Sequence, residues 1–364
     1  MATALYGADQ QPHYECRLFD EKLPAGNPSQ WLMNGGYDGV ADSDLILLVG
    51  TNPRAEAAVW NGRIRTSYNR RQLRGQQTTI GYVGAPLPAD NDLTYPYDYL
   101  GDQAALLRSL LDGDAATPMI KTWLEKLAQA KTPMLVLGTA AVGRADGADI
   151  LALANQLAVK YNMQFHYLSP AANMVGGMAV GFHPAAPEKN STRQLAQNLT
   201  KGNIKLLWLL SADDGLLFAN DAAFEKPFVI YQGSHGDRGA AVADVILPSP
   251  SPWGEEDGLY INGAGWLQET LQAIAPVGTS SINDDSNMAA GARANWLIIR
   301  SLSALLSEPY QAQNKNGATT NMGKVDFNNS EELRALVLAD LASKGFLLDQ
   351  RATFAFQPFQ QAAG

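Results

Sequence analysis

Two segments of this 364-residue chain gather residue types able to bind an anion. The first is GTNPRAEAAVWNGRIR, residues 50–65. Gly50 and Pro53 shape a tight turn, Asn52 can hydrogen-bond its own backbone, and Arg54, Arg63 and Arg65 bring positive charge. At the carboxyl end of a strand, such a turn lies where open α/β sheets bind ligands. A helix-capping turn with a salt-bridging face accounts for the same residues equally well. The second segment is YQGSHGDRGAAVADVILPSP, residues 231–250. Gly233 and Gly236 allow a tight path. His235, Asp237 and Arg238 form a charged group that could hold an anion or simply pin the loop.

Other constellations favour plainer readings. GTAAVGR, residues 138–144, is a near miss to a phosphate-binding loop: Arg144 stands at the lysine position and Ala145 at the hydroxyl position, so magnesium has no ligand there. A simple β–α turn is the expectation. No strict G-x-G-x-x-G fingerprint and no G-x-S-x-G elbow is present. His13, His166, His183 and His235 include no H-E-x-x-H pair, and His166 sits in an apolar strand pattern as a hydrogen-bonded core histidine would. Glu255, Glu256 and Asp257 could be an acid/base pair or a metal site, but a solvated turn before the Leu259 strand is preferred. Cys16 is the only thiol, which rules out an intrachain disulfide, a thiolate zinc site and a four-cysteine iron–sulfur cluster, and it is expected to stay reduced.

The elements that must position these residues are legible as short apolar runs closed by glycine. DLILLVG (44–50), TTIGYVG (78–84), PMLVLG (133–138), MQFHYL (163–168), IKLLWLL (204–210) and PFVIYQG (227–233) read as buried parallel strands. Helices are expected over 54–71, 100–111, 119–130, 148–161 and 292–306, and from Ser330 to about Lys344, where Gly345 would end the last of them. The alternation predicts an α/β fold with doubly wound, mostly parallel sheets. The expected organisation is an irregular lead-in over 1–41, an α/β region over 42–275, a loop and amphipathic helix over 276–308, and a linker, helix and docking tail over 309–364. The aromatic part of that tail, residues 346–359, is the candidate for an interface with a partner.

Composition bounds the alternatives. Hydrophobic residues make up 46% and charged residues 17%, enough for a sizeable core. A formal net charge of −9 argues against nucleic acid as a partner. No run approaches the roughly 18 apolar residues of a membrane span, and no signal-peptide pattern opens the chain.

Several stretches together carry a family resemblance: LILLVGTNPRAEAAVWNGRIR, YPYDYLGD, PMLVLGTAAVGRADGADILA, FVIYQGSHGDRGAAVADVILP, LYINGAGWLQET and NWLIIRSLSALL. In this order they resemble the C-terminal, molybdopterin-oxidoreductase-like half of the large iron–sulfur subunit of respiratory complex I, NADH:ubiquinone oxidoreductase. Most of residues 42–306 is covered. Molybdenum enzymes of this type, such as formate dehydrogenases, follow the G-x-N-P turn with a His-Pro pair beside the pterin nucleotide; here Ala57 and Ala58 stand at those positions. The complex I pattern reads roughly N-T-E-G-R where this chain has Asn262-Gly263-Ala264-Gly265-Trp266. The resemblance implies the molybdopterin-oxidoreductase type of fold, a non-catalytic structural role in the peripheral arm, and no cofactor in this chain. Asn52, Arg54, His235 and Asp237 would be remnants of a vestigial pocket. It further implies iron–sulfur clusters in a partner chain, the N-terminal half of a split subunit encoded separately, with other peripheral-arm subunits as neighbours. The expected location is the matrix side of the mitochondrial inner membrane, or the cytoplasmic face of a bacterial plasma membrane. The alternatives are the cofactor-binding half of a molybdopterin oxidoreductase such as a formate dehydrogenase, and a stand-alone nucleotide-binding module.

Overall fold

The computed structural model describes residues 14–359 apart from 18, 103, 116, 185–191, 213–226, 237, 277–290 and 308–326. Its contacts divide the chain into two units. The larger comprises Cys16–Ser191, Ile261–Leu267 and Lys344–Gly364; the smaller comprises Met1–Glu15, Thr192–Tyr260 and Gln268–Ser343. The dividing point at residue 191 falls inside the stretch 42–275 that the sequence reading treats as one region.

In the larger unit the elements run β1 (Leu45–Val49), α1 (Pro53–Glu56), α2 (Ala58–Leu73), β2 (Thr79–Val83), β3 (Asp98–Gly101), α3 (Ala104–Asp112), α4 (Pro118–Gln129), β4 (Pro133–Gly138), α5 (Thr139–Val142), α6 (Gly147–Lys160), β5 (Gln164–Leu168) and α7 (Met174–Ala179). The strands form one parallel sheet in the order β3-β2-β1-β4-β5. Every residue of β1 and of β4 is buried, as continuous apolar strands covered on both faces should be. Gly81 in β2 makes room for a helix: a Cβ there would lie 2.4 Å from the Trp123 ring of α4.

Two expectations change here. The helix expected over 54–71 is broken at Ala57, whose φ of −149° and ψ of 64° leave the helical region. The helix expected from Leu100 starts at Ala104, because residues 98–101 pair with β2 as the edge strand β3.

The stretch read as lead-in is irregular but structural where it is described. Leu23, Trp31, Leu32, Met33 and Val40 are buried. The Tyr167 N–H donates to Leu32 O at 3.1 Å, and Met33 bridges His166, so this segment covers the outer edge of β5. Residues 1–13 and 308–326, the latter holding most of the expected linker, lie outside the described residues.

The tail seats on its own unit. Phe346 is 1% exposed and stacks on Trp31 at 6.2 Å, and Phe356 stacks on Phe165 at 5.3 Å. Gln357 O accepts from Gln30 Nε2 at 2.8 Å, and the Phe359 N–H donates to Asn155 Oδ1 at 3.0 Å. Phe346 is thus part of this unit's core, while Thr353, Ala355, Gln357 and Pro358 in the same stretch stay exposed. Gly345, at φ +88°, turns the chain out of the preceding helix as foreseen.

The smaller unit holds α8 (Thr192–Thr200), β6 (Leu206–Leu210), β7 (Phe228–Gly233), α9 (Arg238–Val242), β8 (Val245–Pro248), β9 (Gly258–Ile261), β10 (Leu267–Thr270), α10 (Asn295–Ser307) and α11 (Ser330–Ser343). The tip of the β9–β10 hairpin, Ile261–Leu267, is counted with the larger unit. Strands β6, β7 and β8 form a second parallel sheet in that order. Leu209, Val229 and Tyr231 are its core, packed against Ala240, Val242 and Ala243.

Candidate functional site

In the five-stranded sheet the strand order reverses between β1 and β4, and the carboxyl ends of these two strands are where such folds open a crevice. Here the crevice is closed by close backbone approach. Gly50, at φ +59°, ends β1; a Cβ on it would fall 2.5 Å from the Ala141 backbone N. A Cβ on Gly138, which ends β4, would fall 2.5 Å from Gly50 O.

The turn after β1 spends its donors on its own chain. Asn52 caps α1, its Oδ1 accepting from the Arg54 N–H at 3.1 Å. Glu56 then reaches back: the Asn52 N–H donates to its Oε1 and the Thr51 hydroxyl to its Oε2, both at 2.8 Å. Burial raises the Glu56 pKa, while these hydrogen bonds from Asn52 and Thr51 work to lower it. Arg54 donates from Nη1 to Asp92 O at 2.6 Å. Arg63 pairs with Asp38, and both Arg63 and Arg65 lie on the exposed side of α2. The positive charge seen in the sequence therefore does not converge on the crevice. A carboxylate already sits on the turn's donors, so the residues present do not fit a phosphate-bearing group.

The rest of the opening is filled by residues that sequence reasoning passed over. Lys22 N donates to Val142 O at 3.1 Å. Tyr167 OH donates to Glu21 Oε1 at 3.3 Å and lies 3.1 Å from Thr139 Oγ1. Glu21 and Tyr167 are fully buried, and burial, reinforced by the Glu21 charge, holds the phenol well above its usual pKa. Ala57, at the helix break, offers no side-chain cap.

The remaining candidates each have a local role. Arg144 makes a paired contact to Asp146 at 2.7 and 2.9 Å, holding an ordinary β–α turn. His183 Nδ1 lies 2.7 Å from Pro184 O. In the smaller unit, His235 is exposed with its Nδ1 2.9 Å from Ser234 Oγ, and Arg238 is an exposed residue opening α9. Asp237 lies outside the described residues. The acidic run is a set of backbone anchors. Glu255 accepts from Ser251 N, Glu256 from Asn295 N and Nδ2, and Asp257 from Gln272 N. Burial raises the Glu256 pKa. Among the described residues, no group of three or more histidine, cysteine or acidic side chains could hold a metal ion.

At the hairpin tip, Asn262 Oδ1 accepts from Ala264 N at 3.0 Å and Trp266 N at 3.1 Å. An arginine does reach this loop, but from the tail. Arg351 donates from Nε to Ala264 O at 3.3 Å and from Nη2 to Asn34 O, and it pairs with Trp266 across an antiparallel bridge.

His166 is the core histidine its strand pattern suggested, with Nε2 3.3 Å from the Gly35 N–H and 3.0 Å from Gln164 Oε1. Burial, helped by the Arg351 charge, lowers its pKa from 6.5 to about 3. The unfolded chain takes up this proton near pH 6.5, and the folded chain does so only near 3. The His166 contribution to stability is therefore flat above about 6.5 and falls as pH drops through that window, by about 1.4 kcal/mol per pH unit. In urea unfolding between pH 7 and pH 5 the parent chain is expected to lose about 2 kcal/mol more than the His166→Gln chain. Comparing the two chains separates His166 from Glu56 and Glu256, whose raised pKa values act in the opposite sense.

Residues 3–304 match the molybdopterin oxidoreductase family. The NADH-ubiquinone oxidoreductase 78 kDa subunit, mitochondrial, of Neurospora crassa is 33% identical over 287 residues, covering 76% of this chain and 33% of that protein. Its namesake in Candida albicans is 35% identical over 286 residues, 77% of this chain and 34% of that one. A bacterial relative, a NADH-quinone oxidoreductase subunit of Rickettsia bellii, is 32% identical over 272 residues, 73% of this chain and 35% of that one. The chain thus spans about a third of the length of the curated relatives it matches.

Proposed function

Because this chain belongs to the molybdopterin oxidoreductase family, we propose that it serves as a non-catalytic structural subunit of the peripheral arm of a NADH:quinone oxidoreductase. The observation that carries the reading is the likeness to complex I subunits over about three quarters of the chain. The switch point supports the non-catalytic part, since Glu56 occupies the donors a cofactor phosphate would need. Ala57 and Ala58 supply neither a ring donor nor a rigid kink. One cysteine cannot by itself hold a four-cysteine iron–sulfur cluster, so in this reading any clusters would be held by polypeptide outside these 364 residues. This chain would be the separately encoded C-terminal piece of a split subunit and hold no cofactor of its own. Its place would be the matrix side of the mitochondrial inner membrane, or the cytoplasmic face of the plasma membrane in a bacterium. No helix among the described residues is long and apolar enough to cross a membrane.

Affinity purification of the tagged chain from its native host, followed by mass spectrometry and metal analysis, tests this. Complex I subunits, including a cluster-bearing chain, are expected to come down with it, without molybdenum or tungsten. Recovery of the chain alone, or stoichiometric molybdenum or tungsten in this chain, would overturn the reading.

A further inference from the structure

From Ala57 to Ala89 the chain has five arginines, at 63, 65, 70, 71 and 74, and no lysine, aspartate or glutamate. The whole chain has a formal net charge of −9, so everything outside this stretch is more acidic than that figure. Helix α2 carries most of this positive charge on its outer face. An α-helix turns about 100° per residue, so Val59, Arg63, Thr66, Arg70 and Leu73, spaced by four and three, line up in one stripe. The buried residues Trp60, Asn61, Ile64 and Ser67 lie on the other side of the helix. Val59 is 82% and Leu73 89% exposed, and Arg63, Thr66 and Arg70 are exposed between them. Arg74, the exposed C-cap, extends the charge past Leu73.

Positive side chains at a helix carboxyl end interact favourably with its dipole, which accounts for Arg70 and Arg74. It does not account for Arg63, two turns earlier, nor for the two exposed aliphatic side chains on the same stripe. A solvated helix face interleaves both signs of charge at this spacing, and here the acids are missing. Arg63 shows what the stripe takes: it pairs with Asp38, whose carboxylate is itself highly exposed. Arg70 and Arg74 have no such partner among the described residues.

We propose that this stripe docks on a carboxylate-bearing face of a neighbouring protein subunit. Arg70 and Arg74 would take its acidic side chains, with Val59 and Leu73 packing at the two ends. A guanidinium grips a carboxylate through two parallel hydrogen bonds and is more weakly hydrated than an ammonium, so arginine is enriched in interfaces where lysine is depleted. A nucleic acid or an anionic bilayer would extend past the stripe and meet the rest of a net acidic chain. A protein face can be confined to the roughly 21 Å that separate Val59 from Leu73 along the helix. The proposal rests on the complex I reading above and adds to it the surface used.

Two kinds of full-length variant test it in the assembly purified through its tag. Arg70→Glu combined with Arg74→Glu is expected to lower the co-purifying complex I subunits about tenfold or more, while the free chain unfolds in urea near the parent's midpoint. Arg70→Lys and, separately, Arg74→Lys keep the charge and supply an amine that a carbodiimide joins to a carboxylate in contact with it. A cross-link from these positions to an aspartate or glutamate of another complex I subunit is expected, and it decides alone if the reversed variant misfolds. Full co-purification of a folded reversed variant, no cross-link from either position, or a cross-link to a second copy of this chain overturns the inference and leaves the functional reading standing. Binding of the free chain to phosphatidylglycerol vesicles that charge reversal abolishes assigns the stripe to a lipid surface and also overturns it. If no complex I subunit co-purifies with the parent chain, the functional reading falls and this inference with it.

Discussion

Phe346→Ala is expected to lower the unfolding free energy by about 3–5 kcal/mol, the range for deleting a fully buried aromatic ring. The size follows from what the ring touches. Phe346 is 1% exposed, stacks on Trp31 and meets Phe354 at 5.3 Å. Trp31 is itself 1% exposed, so removing Phe346 opens a cavity against a side chain too large to collapse into it. The same tail carries Arg351, whose guanidinium contacts Asn34 O and Ala264 O. Loosening the tail therefore also uncovers hydrogen-bond acceptors around the hairpin tip. Urea unfolding read by tryptophan fluorescence gives the shift in midpoint, and an unchanged slope assigns it to the folded state. Phe228→Ala, on the half-exposed sheet face, is the contrast: in the isolated chain it should cost under about 1 kcal/mol. If Phe346→Ala is equally mild, the tail is not part of this core.

The two phenylalanines show where sequence alone runs out. Both lie in apolar or aromatic stretches, and the sequence places the tail far from every strand it packs on. Spacing alone favours a partner's docking surface, but 330 positions separate Gln357 from its bond to Asn27, and no local pattern encodes that distance. Strands β1 and β4 were legible because burial on both faces leaves an uninterrupted apolar run. Strand β3 was not, because an edge strand in YPYDYLGD mixes exposed Tyr99 with Asp98, whose carboxylate accepts from Trp123 and Lys126. At the switch point the turn itself could be read, Asn52 as cap and Pro53 at the first helical position. Glu56 was missed although its spacing is informative: an acidic residue four positions after a cap can reach back to the cap's backbone N–H. The arginines drew attention as charge, and only coordinates show that Arg54, Arg63 and Arg65 turn elsewhere.

The closure of that switch point yields the other large expected effect. Gly50→Val is expected to cost about 3 kcal/mol or more, from two causes that add. A β-branched residue is strained at φ +59°. Its Cβ would also enter the backbone of Ala141, in the short helix that follows β4 without a loop, so the obstacle cannot rotate away. The Gly50 N–H donates to Val83 O at 2.8 Å, so displacing the turn also strains the end of β2. Gly62 gives the opposite sign. It lies exposed inside α2 with nothing within 4 Å of an added Cβ, so Gly62→Ala is expected to stabilise by about 0.5–1 kcal/mol through helix propensity alone. Urea midpoints of the two variants measured side by side should move in opposite directions. A Gly50→Val chain within about 1 kcal/mol of the parent would mean that the β1 and β4 turns are not in contact and that the crevice between them stands open. In that case Glu56 would no longer suffice to exclude a phosphate-bearing cofactor, and the non-catalytic reading would lose its structural support.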